Sequence, residues 1–206
     1  MNAKRHRGRA ARDPFLLAAG LGFLALGAQA AGPSFDCGAV EAGSIAALVC
    51  QDPALAAADL RLAEIYAAAL AKAGNAQPPT LKAEQRGWIK GRDECWKADD
   101  KPACVADAYR LRTAELQSRY RLLEPTGTAT YACDDAPGSE VTASFFPTDP
   151  PTAIAERGDE VSFMVEQPAA SGARYQGRNE SLWEHQGEAT ITWGYGAPEL
   201  RCRVQS

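Results

Sequence analysis

The chain reads as an α+β protein in two parts, a small disulfide-tied helical bundle followed by a small antiparallel β-barrel. Three observations carry that reading. Apolar residues recur every three to four positions up to Leu123 and every second position after Glu124. Turn signals such as Asp135-Ala136-Pro137-Gly138, Asp149-Pro150-Pro151 and Gly194-Tyr195-Gly196 divide the second part at short intervals. Six cysteines, an even number, follow what reads as an export signal. The expected divisions are a signal peptide over 1–30, a helical domain over 31–123, a linker over 124–129 and a barrel over 130–206.

The signal rests on Lys4, Arg5, Arg7, Arg9 and Arg12, followed by an apolar run from Phe15 to Leu26 and the small-x-small sequence Ala28-Gln29-Ala30. Cleavage is expected after Ala30 or Ala31. The run is too short to span a bilayer, and no other stretch is apolar enough to do so. A lipid anchor calls for a cysteine at the cleavage point, whereas Cys37 follows Ser34-Phe35-Asp36. The expectation is therefore a protein without an anchor, periplasmic or secreted.

In the helical part, Asp52-Pro53 pairs an N-cap with a proline at the first helical position. Leu55, Ala58, Leu62, Ile65, Tyr66, Ala69 and Leu70 then line one helical face until Gly74. After a loop over Gly74–Thr80, which includes Pro78-Pro79, a second helix carries Leu81, Trp88, Ile89, Cys95 and Trp96. A third runs from Pro102 to about Leu123, with Val105, Ala108, Tyr109, Leu116 and Tyr120 on its apolar face. The alanine-rich stretch from Cys37 to Cys50 predicts a short helix ahead of them.

In the barrel part, Val141, Ala143 and Phe145 alternate with Thr142 and Ser144. Val161, Phe163 and Val165 alternate with Ser162 and Met164, and Ala189, Ile191 and Trp193 with Thr190 and Thr192. Seven or eight short strands are expected, and closing them into a barrel removes exposed edges. Tyr175 and Trp183 are expected in barrel packing. Cysteine spacing favours Cys37 with Cys50, Cys95 with Cys104, and Cys133 with Cys202; an exchange of partners among the first four stays open.

Charge is unevenly divided. Residues 31–123 hold 12 basic and 12 acidic side chains, while residues 124–206 hold 13 acids against five arginines and no lysine. A surface with a net of eight negatives repels nucleic acid and anionic lipid, and speeds association with a basic protein. Catalytic constellations are scarce. His185 is the one histidine beyond the signal, and with the cysteines assigned to disulfides no metal-ligand set remains. A triad could be drawn from Ser171, His185 and Glu184 or Glu188, but the nucleophile-elbow pattern is absent. A binding protein without a cofactor is the expectation.

The helical part resembles the N-terminal domain of LprI-type lysozyme inhibitors over nearly all of residues 33–120. The matching pieces are Ser34-Phe35-Asp36-Cys37, then Cys50-Gln51-Asp52-Pro53-Ala54-Leu55 with Asp59 and Tyr66. Gln85-Arg86-Gly87-Trp88 follows with Arg92-Asp93 and Cys95, and last come Cys104, Tyr109, Arg112 and Leu116. Ala46 stands where that family often has a glutamate. Trp88, Arg92 and Tyr109 are expected to be structural.

The barrel part resembles the membrane-bound inhibitors of c-type lysozyme over residues 130–204. The residues that carry this are Tyr131-Ala132-Cys133-Asp134, Ser171-Gly172-Ala173-Arg174-Tyr175, Trp183-Glu184-His185-Gln186-Gly187-Glu188-Ala189-Thr190 and Cys202. The resemblance implies a disulfide-closed barrel whose Ser-Gly-x-x-Tyr loop enters the lysozyme cleft, with Ser171 as the inserted residue and Gly172 and Tyr175 completing the motif. It also implies a helper lysine, whose place His185 takes here, and Gln186-Gly187 stands for the usual Gly-Asp. A c-type lysozyme works with one protonated and one ionised carboxyl group. A serine hydroxyl can donate to one and accept from the other. The expected partner is thus a basic c-type lysozyme; the alternative is a periplasmic structural or interaction module that binds an envelope component.

Overall fold

A computed structural model describes residues 32–73, 78–133 and 139–205. The signal segment, the first residues of the Gly74–Thr80 loop and the Asp135–Gly138 turn lie outside the described residues. The helical half consists of α1 (Ile45–Gln51), α2 (Pro53–Ala73), α3 (Pro78–Asp93) and α4 (Lys101–Arg119), with 3-10 turns at Cys37–Ala39 and Glu94–Lys97. The barrel half holds β1 (Gly127–Cys133), β2 (Val141–Phe146), β3 (Thr152–Arg157), β4 (Glu160–Gln167), β5 (Ala173–Gln176), β6 (Glu180–His185), β7 (Glu188–Trp193) and β8 (Glu199–Val204).

Local chemistry sets the helix limits. The Ser44 hydroxyl accepts from the Ala47 amide, and the Asp52 carboxylate accepts from the Ala54 and Leu55 amides at the start of α2. Asp100 does the same for Ala103 at the start of α4. Three expectations shift. Pro78 opens α3 instead of lying in a loop, a position where its missing N–H costs nothing. The Cys37–Cys50 stretch divides into a 3-10 turn and α1. The last helix ends at Arg119, because Arg121 turns left-handed (φ 46°) and the Leu122 amide folds back onto the Gln117 carbonyl. Leu55, Leu62, Ala69, Leu81, Val105, Tyr109 and Leu116 are buried together, with Ile45 and Val49 of α1 added from above.

Disulfides join Cys37 to Cys50, Cys95 to Cys104 and Cys133 to Cys202. The last links β1 to β8 across 69 residues of sequence, a closure worth about 4 kcal/mol on a chain-entropy argument.

The eight strands form a closed antiparallel meander in which each strand pairs with its sequence neighbours and β8 returns to β1. β1 begins at Gly127, paired with Phe145, so Gly127, Thr128 and Ala129 are strand and not linker. The interior is filled by Tyr131, Cys133, Val141, Ala143, Ala153, Ala155, Met164, Tyr175, Leu182, Ala189, Ile191 and Cys202, with Phe145 and Trp193 packed against them. β2 and β7 thus follow the expected phase.

β4 reverses it. Ser162 and Met164 face inward, paired with Ala155 and Ala153, while Val161, Phe163 and Val165 face outward. The register with β3 sets this phase, and elsewhere on the wall apolar residues also face outward. α4 packs on β3, the outward-facing Phe146 and Ile154 are buried, and the Arg121 guanidinium lies 5.9 Å from the Phe146 ring centre. Arg110 of α4 also reaches Asp149 in the β2–β3 loop at 3.2 Å. The barrel wall at β2 and β3 therefore serves as a second core shared with the helices, and apolar residues occur on both faces of the strands.

Candidate functional site

In a meander, alternate loops share one end of the barrel. The β4–β5 loop (residues 168–172) and the β6–β7 turn (Gln186–Gly187) therefore lie at the same end, together with the β2–β3 loop. The first of these carries Ser171 and Gly172; the second follows His185. Ser171, Gly172 and His185 are exposed, and Tyr175 is buried in the barrel core, its ring 5.2 Å from that of Phe145. Burial raises the pKa of the Tyr175 phenol, with the Glu166 charge a lesser contribution, so it remains a neutral packing group.

Two contacts bring the loop and the turn together. Gly172 has φ +70°, and a Cβ placed there would lie 2.0 Å from the Glu184 carbonyl oxygen and 3.1 Å from His185 Cβ. Only glycine permits both the left-handed conformation and this approach. The second contact is side chain to backbone: the Trp183 indole N–H donates to the Ser171 carbonyl at 3.0 Å. Trp183 is 45% exposed, outward-facing and opposite Arg174, while its neighbour Leu182 is fully buried. This corrects the expectation that Trp183 packs inside. Two adjacent strand residues cannot face the same side, and the Leu182-Trp183 pair carried that signal in the sequence.

The turn itself is tightly made. Gln186 (φ 54°) and Gly187 (φ 83°) are both left-handed, as a two-residue hairpin requires, and the Glu184 carboxylate accepts from the Gly187 amide at 3.1 Å. His185 pairs across this hairpin with Glu188, whose carboxylate lies 3.7 Å from Arg203. The edge thus presents a serine hydroxyl, an imidazole, an indole face and main-chain groups. It can donate and accept hydrogen bonds within one concave partner. Among the described residues no cluster of three or more potential metal ligands occurs.

The motif residues of the helical half form a different arrangement. Buried Asp59 accepts from the Tyr109 hydroxyl at 2.9 Å and from the Ser34 amide at 2.7 Å and hydroxyl at 2.5 Å. Tyr109 in turn accepts from Arg92 at 2.7 Å, and Arg92 donates twice to Asp93. Trp88 packs edge-on against Tyr109 at 5.3 Å and donates to the Ala108 carbonyl. Burial pushes the Tyr109 phenol well above its ordinary range, opposed by Arg92. This interior network fastens the N-terminal segment, α2, α3 and α4 to one another, and Arg92 (6% exposed) and Tyr109 (1%) leave little for a partner to touch. A separate cavity of about 490 Å³ lies along the outer wall, lined by Arg119, Val161, Phe163, Val165 and Arg178, away from the Ser171 end.

Comparison with known proteins gives a consistent result. A family model described as lysozyme inhibitor LprI matches residues 37–116, and one described as membrane-bound lysozyme-inhibitor of c-type lysozyme matches residues 131–200. The proteins named lipoprotein LprI of Mycobacterium bovis and of Mycobacterium tuberculosis are each 37% identical over 176 residues, covering 84% of this chain and 85% of theirs. The crystal structure of Pseudomonas aeruginosa MliC in complex with hen egg white lysozyme aligns with 38% of this chain and 81% of that one, at 17% identity and a TM-score of 0.31. By the extent of the mycobacterial match and the order of its two parts, the chain belongs to the LprI family of lysozyme inhibitors, with an LprI helical half followed by an MliC barrel.

Proposed function

We propose that the protein is an exported inhibitor that blocks a c-type lysozyme by seating the Ser171–Gly172 loop in the enzyme's cleft. One observation carries the reading: the two motif segments Ser171–Tyr175 and Trp183–Ala189, on the paired strands β5 and β6, present their exposed ends together at one barrel rim through the Gly172–Glu184 approach. The description of the matching barrel model, which names c-type lysozyme as the target, supports the choice of partner. The Ser171 hydroxyl bridges the two catalytic carboxyl groups, donating to the ionised one and accepting from the protonated one. His185 adds a second donor, and the acidic barrel draws in a basic enzyme. The role is binding without turnover. This reading assigns the binding to the barrel, which begins at Gly127, and leaves residues 31–123 as a separate helical domain.

The test is inhibition of cell-wall lysis by purified mature protein. Ser171→Ala removes a hydrogen bond to a charged group and weakens inhibition by roughly 10- to 100-fold. His185→Lys supplies an ammonium donor for a charge-assisted bond and strengthens it several-fold. No inhibition of any c-type lysozyme by wild type at micromolar concentration and low salt refutes the proposal. In this reading the six cysteines serve as disulfides and the protein is unanchored. The exported protein accordingly partitions into the aqueous phase in a detergent phase separation.

A further inference from the structure

We propose that Trp183 is a positioning residue for the inhibitory loop, its indole N–H fixing the direction in which Ser171 projects. The inference rests on the lysozyme-cleft reading of Ser171 but adds a residue and a role to it. A tryptophan 45% exposed on a small barrel stands out, since an indole ring gains most from burial. Alternation with buried Leu182 puts it on the outer face, and there its indole N–H donates to the Ser171 carbonyl at 3.0 Å. That carbonyl belongs to the peptide plane joining Ser171 to Gly172, so pinning it sets ψ of the serine and φ of the glycine together.

On the far side of the same plane, Gly172 lies against the Glu184 carbonyl. Trp183 and Glu184 are consecutive in β6, the first donating through its indole and the second presenting its main-chain carbonyl. The peptide plane is thus gripped at both ends by adjacent residues of one strand. With ψ set, Ser171 retains rotation about φ and χ1, and less ordering remains to be done on binding. Such preorganisation raises affinity without any new contact to the partner. Across the strands Arg174 is the outward neighbour of Trp183, which keeps the indole on the same wall as the loop.

Trp183→Phe tests this, because it keeps an aromatic ring on the outer face and deletes only the donor. Loss of one neutral hydrogen bond predicts inhibition about five- to tenfold weaker, with the melting temperature lowered by no more than roughly 4 °C. In a Ser171→Ala background the same substitution is expected to change inhibition by less than about twofold, because the indole acts through the serine. The free protein supplies a second readout: the backbone order parameter at Ser171 and Gly172, from nitrogen-15 relaxation, falls in Trp183→Phe. An unchanged order parameter overturns the proposal. So does an equal loss of inhibition in both backgrounds, which makes Trp183 a direct contact. Should wild type inhibit no lysozyme, the cleft reading fails, while the order parameter still decides whether Trp183 positions the loop.

Discussion

Substituting Gly172 by alanine tests the geometry of the exposed edge most directly. The added methyl would begin 2.0 Å from the Glu184 carbonyl oxygen, where an ordinary carbon–oxygen contact needs more than 3 Å, so the loop must move outward by roughly 1 Å or more. The φ of +70° costs an alanine about 1–2 kcal/mol in addition. Because residues 168–172 are exposed, the loop can relieve the clash by lifting off the β6–β7 turn. The loss in stability is then limited to about 1–3 kcal/mol, the scale of overpacking at a yielding site. Inhibition has no such relief: a serine displaced by 1 Å loses its charge-assisted hydrogen bonds, which corresponds to roughly 10- to 100-fold. Gly158→Ala is the control. It has φ +57° and open space around it, and it lies in the β3–β4 turn at the other end of the barrel. It is expected to lower stability by about 1 kcal/mol and leave inhibition unchanged. Lysis assays and thermal melts on both variants decide the matter. Inhibition by Gly172→Ala within twofold of wild type, or equal impairment by Gly158→Ala, refutes the reasoning.

Two further predictions concern the interior. Tyr109→Phe leaves buried Asp59 and Arg92 each short of a partner, and urea denaturation is expected to show a loss of about 2–3 kcal/mol with inhibition by the barrel retained. Burial, together with the Glu184 and Tyr175 charges, pushes the Tyr131 phenol up to about 12. The folded barrel therefore keeps this proton where the unfolded chain has released it, and stability, full below pH about 10, falls as pH rises toward about 12, by on the order of 2–3 kcal/mol. Urea midpoints between pH 9 and pH 12, read together with phenolate absorbance, check this; a midpoint constant over that range is the contrary result.

The sequence announces most of the fold through local chemistry. Asp52-Pro53 marks the start of α2, and the change of period after Glu124 separates the halves. The phase of β4 was not legible. Val161, Phe163 and Val165 are the more apolar set, and nothing within the strand shows that Met164 fills the barrel. That choice is made by the register with β3, which is non-local. For the same reason Ser171 and His185 could be named from motifs, but the contacts joining them could not. The approach of Gly172 to Glu184 is made to a carbonyl group, which every residue type has, and so leaves no mark on the sequence at position 184.

That contact has a consequence for design. Since the shape of the serine loop is held by a main-chain group, a glycine and one indole, the identities of Ala169, Ala170 and His185 are not needed to maintain it. These three exposed positions form a surface that can be rewritten as a library on a disulfide-closed scaffold. Variants aimed at clefts of other shapes or charges could then be selected with the backbone of the loop left as it is.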